Sequence, residues 1–442
     1  MRVLFAVSAW PGHYYPMVPL ARALQRSGHP VRFLCDASQS GALSRAGLSA
    51  APVLSSMDML VKARMGALLS AYEGAWPYAS PPLHPDTGEV LAGTGAFDFA
   101  AWWGRTEPAL TRLHRASTDA AADFARAWEP DLVLHDLMSA EGPLVAALAA
   151  VPAVLHLWGP VGPADRWGAI GCAPESRDRR FLPQDLSGAF ERYGLPASAG
   201  DTGRIVADPC PAPLDRPADP GVLRLPARYT PYNGPGTFSR SAVPRSGRPR
   251  ICVVWGRSVH RVFGPDSLRV PAVLQAAGEL GAEVLLLAGR EELAACGPLP
   301  PWVHPLEEAP LHQVLDGCAA VVHYAGGGSA MTAVAAGVPQ LCLPCGYDQP
   351  LVAERLAAAG AAISVPNHTA APDTVRTALG SLLGEESYRT AALRLRERNA
   401  ALPSPTDLAE RLVALASDAA PAPGAGPGQD TGLPAPCRGT PP

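Results

Sequence analysis

His323-Tyr-Ala-Gly-Gly-Gly-Ser329 leads into a short apolar run, then Gly337-Val-Pro-Gln-Leu-Cys-Leu-Pro-Cys-Gly-Tyr-Asp348-Gln349. The reading of this stretch decides the fold. Val321–Tyr324 is a strand, the three glycines a tight turn, Ser329–Ala336 a helix, Gln340–Leu343 a strand and Gln349–Ala359 a helix. Strand, turn, helix and strand in that order form a parallel βαβ unit. A glycine-rich turn that opens a helix presents backbone N–H groups and the positive end of the helix dipole. The stretch therefore reads either as a tight turn alone or as an anion site suited to a pyrophosphate. In the second reading Gly326, Gly327, Gly328 and Ser329 hold the phosphates, and His323 at the strand end donates to them. Asp348 and Gln349, at the end of the next strand, offer a carboxylate and an amide to sugar hydroxyls.

The same alternation extends on both sides. Arg250–Trp255 and Glu283–Ala288 are strands around the helix Asp266–Glu279. In the first half Arg2–Ser8, Val31–Cys35, Leu48–Leu54, Asp131–His135 and Ala153–Leu157 read as strands, and Pro16–Ser27, Ser38–Ala46 and Ala140–Ala149 as helices. Two doubly wound α/β halves result, with a cleft between them where ligands bind. Asn233–Arg248, rich in Gly, Pro, Ser and Arg, reads as the linker. The domains expected are 1–232, a linker at 233–248, and 249–418, whose last helices are free to pack back on the first domain. The Pro- and Gly-rich residues 419–442 read as a disordered tail. Between Ser55 and Trp103 the pattern breaks into a stretch with Trp76, paired prolines, Trp102 and Trp103. That stretch is either variable surface or a set of loops and mobile helices for an acceptor or partner.

Composition narrows the class. The chain has 442 residues, 48% apolar and 17% charged, enough for packed cores. A formal net charge of −4 without a basic block argues against nucleic acid as a partner. Lys62 is the one lysine in a total of 36 Lys and Arg, read at this level as the mark of a GC-rich coding bias. The apolar stretch Ala140–Trp158 carries Glu141, Pro143, Pro152 and His156 and does not make a membrane span. Val3–Trp10 is too short for a signal peptide. Nine cysteines without a framework spacing fit reduced thiols in a cytoplasm, and the lone Cys342–Cys345 pair lacks the second pair of a zinc site.

The donor stretch resembles the donor-binding motif of actinobacterial natural-product glycosyltransferases of the two-domain GT-B type. Three further stretches carry the resemblance: Gly12-His13-Tyr-Tyr-Pro16-Met-Val-Pro19-Leu-Ala-Arg-Ala-Leu24; Pro130-Asp-Leu-Val-Leu-His-Asp136 with Leu157-Trp-Gly-Pro160; and Arg228-Tyr-Thr-Pro-Tyr-Asn-Gly-Pro235. The last is similar above all to enzymes that attach deoxysugars to macrolides and aromatic polyketides. The resemblance covers nearly all of 1–416, with 55–103 matching least and the tail not at all.

What it implies is inverting transfer of a sugar from a nucleotide donor, TDP-linked, to a polyketide-like aglycone in antibiotic biosynthesis. His13 takes the place of the general base, and Asp136 that of the carboxylate that orients it; without that chemistry each residue would only cap a following helix. Ser258, Arg257 and His323 join the glycine turn in stabilising the departing diphosphate. Trp76, Trp102, Trp103 and Trp158 are candidates to hold the acceptor. No Asp-x-Asp pair is present, so no metal or other cofactor is expected. Members near this group work with an auxiliary protein of haem-monooxygenase ancestry, and the apolar residues of 55–103 offer a docking surface for it. The chain is expected as a monomer or homodimer.

The sequence also departs from the family pattern. The usual His-His-Gly-Gly-Ala-Gly is here His-Tyr-Ala-Gly-Gly-Gly, Arg257 replaces a small hydroxyl residue, and Glu307-Glu308 stands where an aromatic often stacks on the base. A sugar-nucleotide epimerase and a non-catalytic binding homologue are the alternative readings.

Overall fold

The computed structural model describes residues 1–165, 187–196, 203–214, 220–239, 243, 246–256, 258–307 and 309–419. Its frame is two parallel sheets. The first holds β1 (Val3–Ala6), β2 (Val31–Asp36), β3 (Ala50–Leu54), β4 (Leu132–His135), β5 (Ala153–His156), β6 (Ile205–Asp208) and β7 (Leu223–Pro226), in the order β3-β2-β1-β4-β5-β6-β7. The second holds β8 (Arg250–Trp255), β9 (Glu283–Ala288), β10 (Val303–Leu306), β11 (Ala320–His323), β12 (Gln340–Cys342) and β13 (Ala362–Ser364), in the order β10-β9-β8-β11-β12-β13. Both are doubly wound, Rossmann-like sheets. Their strands are apolar runs without alternation because helices cover both faces: every residue of β1 and of β9 is buried. Glu283 is tolerated inside β9 because Arg250 Nε donates to it at 2.6 Å.

Each sheet changes winding direction once. In the first, β1 lies between β2 and β4, with Ala6 level with His135. In the second, β8 lies between β9 and β11, with Val253 level with Val322. At such a point neighbouring strands lead to opposite faces of the sheet and leave a crevice at their carboxyl ends. The residues that follow β1 and β4 therefore meet, as do those that follow β8 and β11.

The expected helix Pro16–Ser27 is built in three pieces: a helical turn Pro11–Tyr14, a 3-10 turn Tyr15–Met17 and a helix Val18–Arg26. Pro11, Pro16 and Pro19 each sit in the first positions of a piece, where the missing N–H costs nothing. The stretch 55–103 is not irregular throughout. Asp58 caps a helix Met59–Tyr72, and Asp98 caps a 30-residue helix Phe99–Trp128 with Pro108 inside it. The first of these leans on the second domain. Arg64 Nε donates to the Arg261 carbonyl at 2.6 Å, and Tyr347 OH donates to the Ala63 carbonyl.

Two connections tie the halves together. The Tyr229 amide donates to Asn399 Oδ1 at 2.9 Å, and Asn233 Nδ2 donates to Thr332 Oγ1 at 3.0 Å. The helix Pro405–Ala419 returns to the first domain, where Leu408, Ala409, Leu412 and Ala416 complete the core against Leu20 and Leu24. Among the described residues the cysteines are free, and no helix is long and apolar enough to cross a membrane. The expected tail from 420 onward lies outside the described residues.

Leu412 is fully buried in that shared core. Leu412→Ala leaves a cavity and is expected to lower stability by about 2–5 kcal/mol. The measurement is the urea midpoint of the purified protein; an unchanged midpoint would show that the last helix is not docked.

Candidate active site

The loop after β1 carries Ser8 and Trp10 and leads into the helical turn that holds His13, and the loop after β4 carries Asp136 and Met138. Asp136 is fully buried, and its carboxylate is held from both sides: Oδ2 accepts from the Ser8 amide and Oδ1 from the Met138 amide, both at 2.7 Å. The Ser8 hydroxyl lies 2.9 Å from His13 Nδ1. Asp136 thus reaches His13 through Ser8, whose amide bonds the carboxylate and whose hydroxyl bonds the imidazole. With Nδ1–H donating to the Ser8 oxygen, Nε2 is the nitrogen left to take a proton. Burial, reinforced by the Lys62 charge, pulls the imidazole down to about 3. Burial raises Asp136 to about 6 against the opposing hydrogen bonds from Ser8 and Met138. At neutral pH the pair is therefore a neutral imidazole beside an ionised carboxylate.

Trp158 follows β5 and is 3% exposed. Its indole stacks on the His13 ring with centroids 4.0 Å apart and planes 14° apart. Its Nε1 donates to Asp348 Oδ2 at 3.1 Å. One side chain thus joins the base candidate of the first domain to the sugar-binding candidate of the second.

In the second domain the glycine turn enters the helix Gly327–Ala336 with Gly326 as its cap. A side chain at Gly327 would lie 2.8 Å from Trp158 Cδ1, so only glycine lets the helix come this close to the indole. Tyr229 OH donates to the Gly328 carbonyl at 3.2 Å and clamps the turn from the segment before the linker. Ala325 adopts φ +64, the left-handed conformation usually taken by glycine.

His323 departs from expectation. It is 0% exposed, its Nε2 bonds Gln340 Oε1 and its Nδ1 accepts from the Ala325 amide, both at 2.9 Å. Both nitrogens are spent inside the domain, so the ring fixes the turn instead of touching phosphate. Ser258 shares the open side of the cleft with Tyr324, which stands where a second histidine is usual. Arg257 lies outside the described residues.

Three cavities meet at this centre. A largely apolar cavity in the first domain is walled by Met57, Met65, Trp103 and Leu110, with Asp36, Lys62 and Glu141 as charged members. A junction cavity holds His13, Lys62, Trp158, Ser258, Asp348 and Gln349. A third, more open, is lined by Gly328, Ser329, Ser258, Tyr324, Glu307, Ala309 and Leu311.

The structure separates the four tryptophans. Trp103 lines the first cavity and Trp158 the junction. Trp76 instead donates to the Ser80 carbonyl and packs on the core of the second domain. Trp102, 4% exposed, donates to Asp86 Oδ2 at 2.8 Å. These two do not line the cleft. Of the residues expected as a docking surface over 55–103, Met57, Met59 and Met65 line the cavity and Trp76, Tyr78 and Trp102 pack inward, while Tyr72 and Val90 are exposed.

Sequence reasoning missed Ser8, Trp10 and Lys62. Ser8 was legible only as a polar residue just past an apolar strand. Among the described residues no cluster of three or more His, Cys, Asp or Glu is arranged to hold a metal.

The models of the erythromycin biosynthesis protein CIII-like family match this chain, the N-terminal domain over residues 22–256 and the C-terminal domain over 271–415. The chain is 29% identical to 3-alpha-mycarosylerythronolide B desosaminyl transferase of Saccharopolyspora erythraea, covering 92% of this chain and 96% of that one. It is 32% identical to aklavinone 7-beta-L-rhodosaminyltransferase of Streptomyces galilaeus, covering 94% and 96%. The glycosyltransferase VinC, solved in complex with dTDP, superposes with a TM-score of 0.70 at 28% identity over 95% of this chain and all of that one. These likenesses do not favour the epimerase or the non-catalytic reading. With both domain models matched in order on a GT-B frame of two facing Rossmann-like domains, the chain belongs to the erythromycin biosynthesis protein CIII-like family and is a glycosyltransferase.

Proposed function

We propose that the enzyme moves a deoxysugar from a thymidine-diphosphate donor, with inversion, to a hydroxyl of a polyketide-like aglycone in cytoplasmic antibiotic biosynthesis. The observation that carries this reading is the place of His13 in the junction cavity, between the apolar cavity and the one lined by Gly328 and Ser329 at a helix N-terminus. The aglycone takes the first cavity, whose methionines adapt to a bulky apolar ligand. Its hydroxyl meets His13, which accepts the proton as the oxygen attacks the anomeric carbon. The growing imidazolium charge is stabilised by Asp136 through Ser8, and the ring is held in plane by Trp158.

As the new C–O bond forms, the bond to the diphosphate breaks and the electron pair leaves with it. The amides at Gly328 and Ser329 and the Ser258 hydroxyl face that charge. Asp348, fixed by Trp158, and Gln349, fixed by the Cys345 amide, face the sugar hydroxyls. This assignment needs no metal. An auxiliary protein of haem-monooxygenase ancestry enters the proposal as an external activator, one that docks elsewhere than on the inward-facing residues of 55–103.

The reading is tested with TDP-deoxysugars and a panel of polyketide aglycones, with products read by mass spectrometry. No product from any pair would refute it. Transfer abolished by excess chelator and restored by magnesium would refute the metal-free part, and turnover of the purified chain that such a protein leaves unchanged would remove the activator. His13→Ala is expected to cost ~10²–10⁴-fold in turnover with donor binding kept. Near-normal turnover would move the base elsewhere.

The pH profile follows from Asp136. Its folded pKa is raised, so the carboxylate is lost as pH falls through about 6, while His13 stays neutral far below that. Turnover should fall on the acid side near pH 6. Asp136→Asn should be slower and flat between roughly pH 5 and 7; an acid limb that persists in this variant would show that another group sets it.

A further inference from the structure

Tyr347 lines the junction cavity beside Asp348 and Gln349. Among the described residues, four other than glycine hold a positive φ. Glu129 and Ala150 do so at the ends of helices, where the left-handed conformation is common. Ala325 does so in the glycine turn, and Tyr347, at φ +61, directly before Asp348. A bulky aromatic keeps that conformation only where its surroundings over-determine it.

Part of what holds it comes from the other domain. Its phenol donates to the Ala63 carbonyl on the helix Met59–Tyr72, a second bond that a helical carbonyl has the lone pair to accept. Its ring lies against Phe263 with centroids 5.9 Å apart. Gly66, inside the same helix, makes room for the contact: a Cβ there would stand 2.8 Å from the phenol oxygen. Glycine inside a helix costs stability, and this close approach gives it a reason.

The same helix carries the acceptor wall. Met59 and Met65 line the acceptor cavity, and Met59 and Ala63 line the junction. On the donor side Asp348 stands at the N-cap of the helix Gln349–Ala358, yet its carboxylate makes no cap bond and accepts from the Trp158 indole instead. The direction of that carboxylate is therefore set by the indole and by the backbone that Tyr347 holds.

We propose that Tyr347 is a positioning residue that makes binding of the donor's sugar depend on the aglycone. An apolar ligand pressed on Met59 and Met65 fixes the helix, the helix holds the phenol, and the phenol keeps Asp348 turned to the sugar. Released from the helix, Tyr347 relaxes to a negative φ and the peptide of Asp348 turns with it. Sugar and aglycone then bind with positive coupling, equal in both directions. The nucleoside diphosphate, held at the glycine turn, stays outside this link. The inference takes from the glycosyltransferase reading only which cavity holds which ligand, and it contains no chemical step.

The full chain is titrated calorimetrically with TDP and with TDP-glucose, each without and with saturating 4-methylumbelliferone as an apolar, hydroxyl-bearing acceptor probe. In the wild type the probe should tighten TDP-glucose about fivefold and change TDP by less than about twofold. Tyr347→Phe keeps the ring and removes the donor to Ala63, and it should bring the factor for TDP-glucose close to one. Gly66→Ala should do the same, because its methyl group displaces the phenol while favouring the helix that carries it. A merely structural role would move TDP and TDP-glucose together and leave the coupling in place. Coupling that survives in either variant, that is the same for TDP, or that is absent from the wild type overturns the inference, as does a probe that fails to bind at millimolar concentration. The two readings fail separately. TDP that does not bind removes the donor assignment and this inference with it, whereas sugar transfer without Tyr347-dependent coupling removes the inference alone.

Discussion

The stack of Trp158 on His13 is the contact on which the arrangement of the centre depends. It fixes the imidazole plane on one side, and through the indole N–H it fixes Asp348 on the other, across the domain boundary. The indole also determines what stands opposite it, because Gly159 and Gly327 meet there with no room for a Cβ on either. An aromatic held this tightly is a spacer: it keeps the reacting groups of two domains at a set separation without placing a flexible polar group between them. Arg355, bonded to Asp165 at 2.8 Å and to the Pro160 carbonyl, holds the same loop after β5 from behind. Disturbing the indole would move base, sugar site and phosphate turn together.

That geometry arises because both sheets reverse their winding beside a central strand. Ser8 and Asp136 leave adjacent strands with Ala6 and His135 in register, so a serine two residues past β1 falls beside an aspartate one residue past β4. In the second sheet the segments that follow β8 and β11 bring Ser258 and Tyr324 into one cavity. Electrostatics follows from burial at these ends. In a site from which water is largely excluded, a neutral imidazole and an ionised carboxylate separated by a serine avoid the desolvation of two facing charges, and charge separates only when a proton arrives.

The sheets were legible in the sequence because strands buried on both faces are uninterrupted apolar runs, and the glycine turn was legible because no other residue type permits its close approach. The helices of 55–103 were not. Met59–Tyr72 has no polar stripe because it is covered by the first domain on one side and the second on the other, and Pro108 interrupts the pattern of Phe99–Trp128. The strands β6, β7, β10 and β13 were not legible either, because Asp208, Arg224, Pro226, His304, Pro305 and Ser364 break their apolar runs. Lys62 read as a codon effect because composition records how rare a residue is and not where the chain puts it. His13 and Asp136 could be placed from motif alone, but the serine between them could not, since its role exists only in the register of two strands.

His323 shows how a motif residue can matter without touching ligand. Ala325 is held at φ +64, which costs a residue with a Cβ about 1–2 kcal/mol relative to glycine. The cost is offset by a bond from the Ala325 amide to His323 Nδ1, with the ring in turn anchored on Gln340. In the usual pattern the alanine sits two positions later, where Gly327 stands here. Exchanging the two puts strain where a buried histidine can hold it and puts the bare backbone where Trp158 needs it. The altered motif is therefore a coherent solution of the same packing problem: the turn still delivers the helix N-terminus to the cleft, and it does so against the Trp158 indole.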